Sequence, residues 1–139
     1  MVRKFGFALL TLAIGFGLFA PNTVAEDSKK LEIATTEEIM KAVPHKTKGL
    51  VAKAVAGAKE EKWDDIKKIG ETLKKYGSDL GKNKQEKGSD ESWAKMCKTF
   101  EDDMNAVAKG IENKDATAVQ AGAKTFSSNC KSCHDAHRN

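Results

Sequence analysis

Cysteine, aromatic residues and strand-like alternation are all scarce in this 139-residue chain, and each scarcity narrows what it can be. The three cysteines are Cys97, Cys130 and Cys133, and an odd count excludes a disulfide framework fully paired within one chain. Alternation of apolar and polar residues is almost missing, which speaks against an all-β fold or a βαβ unit. No internal repeat and no low-complexity segment are found. Neither sign of charge is in large excess: 24 Lys and Arg stand against 20 Asp and Glu. The lysines are scattered as KK and KxK pairs rather than gathered into the basic stripe that nucleic acid binding requires.

Long apolar runs are also missing, with one exception at the start. Arg3 and Lys4 precede the uncharged run Phe5 to Ala20, Pro21 ends it, and Thr23-Val24-Ala25 places small residues three and one before a cut after Ala25. That order is a secretory signal peptide, residues 1–25. The alternative is an uncleaved anchor, but the run is short of the roughly 20 residues of a membrane span and contains three glycines. Cleavage predicts an exported, periplasmic protein. Once Arg3 and Lys4 are removed, 22 basic residues remain against 20 acidic ones. Exported chains meet oxidants, so unpaired thiols there need an explanation.

What is present in the mature chain is helical periodicity. Residues 26–34 read as a disordered lead-in and 35–139 as one all-α domain. Thr35 and Glu38 have capping-box spacing, and Ile39, Met40, Val43, Leu50, Val51, Ala54 and Val55 continue an apolar face to about Gly57. Pro44 lies inside that run and lacks the N–H that would bond back to Met40, so a kink or break is expected there. Trp63, Ile66, Ile69, Leu73, Tyr76 and Leu80 mark a second helix between Glu60 and Leu80. GKNKQEKG, Gly81 to Gly88, is an exposed connection. Ser89 or Asp90 caps a third helix with the stripe Trp93, Met96, Cys97, Phe100, Met104, Val107 and Ile111. After a turn at Asn113 to Asp115, a fourth helix carries Val119, Gly122, Phe126, Cys130 and Cys133 on one face. Four amphipathic helices joined by short links predict an antiparallel four-helix bundle, whose cofactor sites are built from inward-facing side chains. The modest aromatic content and several inward Ala and Gly leave part of that core to be filled by something other than side chains.

The chemistry is concentrated in the last ten residues, CKSCHDAHRN. A redox dithiol also uses CxxC, but beside a βαβ pattern that is absent here. A zinc site wants four Cys or His ligands, and the extra candidates are His137 nearby and Cys97 on another helix. The third reading is covalent haem attachment, for which CxxCH is the recognised spacing. Cysteines three apart on a helix share a face, so Cys130 and Cys133 can reach the two vinyl groups along one edge of a porphyrin. His134 then supplies an imidazole nitrogen to the iron. Consuming two thiols as thioethers also resolves the odd cysteine count, and the export signal suits a haem attached outside the cytoplasm.

A helical bundle with CxxCH in its last helix resembles the class II cytochromes c, cytochrome c′ and its low-spin relatives. That family typically ends CxxCHxx(Tyr/Phe)Arg. Here the arginine is Arg138, to which the resemblance gives a place near the proximal side of the haem, and His137 stands where the aromatic is usual. The resemblance implies one covalent haem c and its iron, and a one-electron carrier rather than an enzyme. It implies that a first-helix residue covers the other face of the iron, and Met40 falls on that position. Thr36 stands four residues earlier, where the family has an arginine.

His45 is the rival distal ligand; five residues from Met40, it faces away on a straight helix, although a kink at Pro44 alters that. With neither bound, the protein is five-coordinate and binds nitric oxide or carbon monoxide, as cytochrome c′ does. A methionine on an apolar helical face is also ordinary core filling. An enzyme would need acid–base groups over the distal iron, and only His45 offers one near Met40. Cys97 shares its stripe with Trp93, Phe100 and Met104 and reads as a buried, inert thiol, or as an intermolecular disulfide if that stripe forms a dimer interface. His137 either hydrogen-bonds near the haem edge or frays with the C-terminus. The lysine-rich surface is suited to an acidic redox partner, or is simply solvated. Class II cytochromes are often dimers, so a homodimer is a further expectation of the resemblance.

Overall fold

The computed structural model describes residues 32–138; the expected signal peptide, 1–25, and most of the lead-in lie outside the described residues. Within them every regular element is helical: α1 Thr36–Ala42, α2 Leu50–Lys59, α3 Trp63–Leu80, α4 Asp90–Glu112 and α5 Ala116–His137. None of these helices is long and apolar enough to cross a membrane.

The first apolar run, in which a kink or break is expected at Pro44, is broken there into two helices, α1 and α2, separated by a tight turn. Pro44 cannot donate back along the helix, so α1 stops just before it. Gly49 then closes the turn by donating its N–H to the His45 carbonyl at 2.9 Å and caps α2. A β-carbon at position 49 would lie 2.5 Å from the Val43 carbonyl oxygen, so only glycine fits. The remaining ends are closed by local chemistry. Thr35 accepts from the Glu38 N–H while the Glu38 carboxylate accepts from the Thr35 N–H, which is the reciprocal box read from the sequence. Ser89 caps α4 and Asp115 caps α5 through side-chain oxygens. The links after α2 and α4 are short because Glu61 and Lys114 adopt left-handed backbone, φ 55° and 53°.

Helices α2, α3, α4 and α5 pack in a closed ring, α2 on α3, α3 on α4, α4 on α5 and α5 back on α2, while α1 packs mainly on α3. The pairings run antiparallel. Along α3 and α4, Gly70 faces Ile111, Gly77 faces Met104 and Gly81 faces Cys97, so one number falls as the other rises. Along α4 and α5, Gly110 faces Val119, Val107 faces Gly122, Asp103 bonds Asn129 and Trp93 meets His137. Glycines at 77 and 122 allow the close approach: a β-carbon at 77 would sit 3.2 Å from the Cα of Glu101, and one at 122 would sit 3.0 Å from Val107. The core holds Ile39, Val43, Leu73, Leu80, Met104, Val107 and Val119, all fully buried.

The end of the expected disordered lead-in is tied down. Ala34 is buried, its N–H donates to Asp79 Oδ2 at 3.1 Å, and Lys75 donates to the Glu32 carbonyl at 2.9 Å.

Candidate functional site

The last three turns of α5 carry the CxxCH residues over a gap in the ring. Phe126 and His137 are buried, but no residue of α5 between them is. Cys130, Cys133 and His134 are half-buried in that stretch, and all three line one small cavity of about 40 Å³. Its walls are predominantly apolar. Phe100 of α4 and Phe126 of α5 meet edge to face there, centroids 5.8 Å apart, and Met96 extends the α4 side. Met40 of α1 and Pro44 also line it. Met40, Pro44, Cys133 and His134 also line an adjoining open groove, so the cavity opens outward past them.

Met40 is thus brought together with Cys130, Cys133 and His134, and His45 is not. His45 is exposed, lies on the far side of Pro44 in a separate depression between α2 and α5, and accepts the Thr47 and Lys48 N–H groups at its Nδ1. Arg138 is exposed and lines the outer groove together with Lys41 and Lys84. Cys97 is buried in the core stripe, and burial, reinforced by the nearby Cys133, pushes its thiol up to about 11. Cys130 is pushed up by burial and by Asp103, against the opposing effect of a backbone hydrogen bond; Cys133 is pushed up by burial. Cys130 donates to the Phe126 carbonyl at 3.3 Å, the backward bond available to a thiol inside a helix. All three side chains are therefore protonated thiols at neutral pH. Among the described residues no group of three or more His, Cys, Asp or Glu is gathered where it could hold a metal ion by itself.

Two features escape a reading of the sequence. Asp103 is only 6 % exposed and lines the cavity, with Oδ2 accepting from Asn129 Nδ2 at 2.9 Å. Burial raises its carboxyl above the usual range, the Asn129 bond opposes this, and Asp102 adds to it. Its signal in the sequence is an acid three residues after Phe100, inside an otherwise apolar stripe. His137, expected to bond near a haem edge or to fray, is 6 % exposed and held at both nitrogens. Nδ1 is 2.8 Å from the Lys87 carbonyl and Nε2 is 3.0 Å from Ser92 Oγ. A carbonyl can only accept, so Nδ1 carries the proton and, in the neutral ring, Nε2 accepts from the Ser92 hydroxyl.

Two thiols on one helical face, the adjacent imidazole and a thioether from another helix thus line the same small apolar cavity. Compared with protein-family models, curated proteins and solved structures, the chain matches none of them.

Proposed function

We propose that this chain is an exported monohaem c-type cytochrome, an antiparallel four-helix bundle of the class II kind that carries single electrons in the periplasm. One observation carries the reading: Cys130, Cys133, His134 and Met40, drawn from two ends of the sequence, line a single apolar cavity. Cys130 and Cys133 would hold the haem as thioethers, His134 would give the iron its proximal nitrogen, and Met40 its distal sulfur. When bound, the haem supplies a one-electron couple whose potential follows its axial ligands, a methionine opposite histidine raising it. The chain's own contribution is to exclude water with Phe100 and Phe126 and to fix the ligands on helices.

The competing chemistries of a CxxC pair are less well supported. A redox dithiol relies on a thiol with lowered pKa, whereas burial raises both of these. A closed zinc site needs four ligands, and no such group is assembled among the described residues. The outward-opening groove beside Met40 favours one second reading, a five-coordinate haem that binds nitric oxide or carbon monoxide. The lysines scattered over the surface, with Arg138 at the groove, suit an acidic redox partner at the exposed haem edge.

Expression with the haem-attachment machinery tests the proposal. A haem band that survives denaturation of the chain is expected, and its loss in a Cys130→Ser, Cys133→Ser double variant. Native protein without that band would overturn the reading. Met40→Ala is expected to convert a low-spin ferrous spectrum to a high-spin one that shifts on adding carbon monoxide. A wild-type spectrum already high-spin would replace the electron carrier by the gas-binding protein.

A further inference from the structure

The stretch of α5 that bears Cys130, Cys133 and His134 behaves as a beam held at its ends. Phe126 anchors one end in the core, and His137 is the next buried residue along the helix. Of the last turn's carbonyls, that of His134 accepts the Arg138 N–H at 3.0 Å. A final helical turn with so little backbone support ordinarily frays. What holds it is the His137 ring. It donates to the Lys87 carbonyl, accepts from Ser92, and stands edge-on to Trp93 with centroids 5.3 Å apart. The seat is shaped for an imidazole. Gly88 adopts a left-handed backbone, φ 87°, and a β-carbon there would lie 2.6 Å from His137 Nδ1. Trp93 is itself fixed by donating Nε1–H to the Asn83 carbonyl at 2.9 Å. Ser92 and Trp93 begin α4, and Lys87 and Gly88 belong to the connection before it, so the seat is independent of α5.

We infer that His137 is a positioning residue for His134: seated on Lys87 and Ser92, it holds the last turn of α5 so that the imidazole three residues earlier keeps one orientation. With both ring nitrogens engaged, His137 is not itself a ligand. The inference rests on the haem reading above, but it assigns a task that the reading does not need.

The test uses the full chain carrying haem, with His137→Phe, His137→Gln and Ser92→Ala, and Gly77→Leu as a variant destabilised away from the cavity. Phenylalanine keeps a ring against Trp93 but loses both hydrogen bonds, while glutamine restores one donor and one acceptor. His137→Phe should split the single set of ferric electron-paramagnetic-resonance signals. It should also speed carbon monoxide binding to the ferrous protein about tenfold, the population change that two ordinary hydrogen bonds can control. His137→Gln should return both towards native values. Ser92→Ala should fall between and decides the matter if His137→Phe fails to fold. Native signals and rates in His137→Phe, or in Ser92→Ala where that variant fails, would overturn the inference. So would the same changes in Gly77→Leu, because general destabilisation would then explain them. Native chain without covalent haem would overturn the haem reading and this inference together; covalent haem with unmoved signals overturns this one alone.

Discussion

At position 103 an aspartate interrupts the apolar stripe of α4, and its carboxyl shares the cavity wall with Phe100, Phe126 and the two helical cysteines. Burial raises its pKa, so the folded chain binds this proton more tightly than the unfolded one. Its contribution to stability is most favourable at low pH and is lost as pH rises from the ordinary carboxylate range through the raised folded value. Asp103→Asn keeps an oxygen for the Asn129 amide and removes the charge. The variant should therefore unfold at a higher urea concentration than wild type at pH 7, with the gain disappearing near pH 3.5. Equal midpoints at both values would show that the carboxylate carries no such cost. Residues of this kind divide sharply in legibility. Cys130, Cys133 and His134 are readable as candidates because CxxCH is a local spacing, and the structure puts all three on one cavity. Asp103 and His137 are not, because each takes its environment from partners 26 to 50 positions away.

Helices α3, α4 and α5 were legible from the period of their apolar residues, and Ser89 and Asp115 cap where capping residues lie. The first helix was legible only in part. Pro44 announces a break, but the closing turn depends on the space denied to a side chain at Gly49, which no periodicity reveals. The same holds for the glycines that set helix spacing. At Gly77, alanine brings its β-carbon to 3.2 Å from Glu101 Cα and Met104 Cβ, while gaining about 1 kcal/mol of helix propensity. Those terms oppose, so Gly77→Ala should be nearly neutral. Gly77→Leu must push α3 from α4 and should cost about 1–3 kcal/mol by urea titration. A leucine variant as stable as wild type would mean that the two helices are not held at this spacing.

Across the whole molecule, the all-helical character could be anticipated because apolar residues recur at helical period in one segment after another and almost no strand alternation is present. How the ring's ends are fastened could not. Asp79 is the principal fastening: nearly fully buried, it accepts from Lys75, from Lys82 at 2.9 Å and from the Ala34 N–H at 3.1 Å. Burial alone would raise its pKa, but these bonds outweigh it and bring the carboxyl down to about 2. A lowered pKa gives stability that is present above the ordinary carboxylate value of about 4 and is lost as pH falls towards 2. Wild type should lose urea resistance over that window, and Asp79→Asn should be weaker at pH 7 but show a flatter loss. A loss in the variant as steep as wild type's would assign acid sensitivity to other carboxylates.

The two walls that meet at the cavity are unequal. His134 rides on a helix of 22 residues locked into the ring, whereas Met40 rides on one of seven, held chiefly by Ile39 and Val43. Short elements with few buried anchors open before the rest of a fold does. On heating, then, the molecule should come apart in order. If haem is held as proposed above, with Met40 on its iron, the absorbance that reports that sulfur ligand should fade first, while the circular dichroism of the long helices persists to higher temperature. A single shared midpoint would mean that α1 melts only with the whole. A separated pair would mean that warmth alone can loosen the wall that carries Met40 without unfolding the long helices.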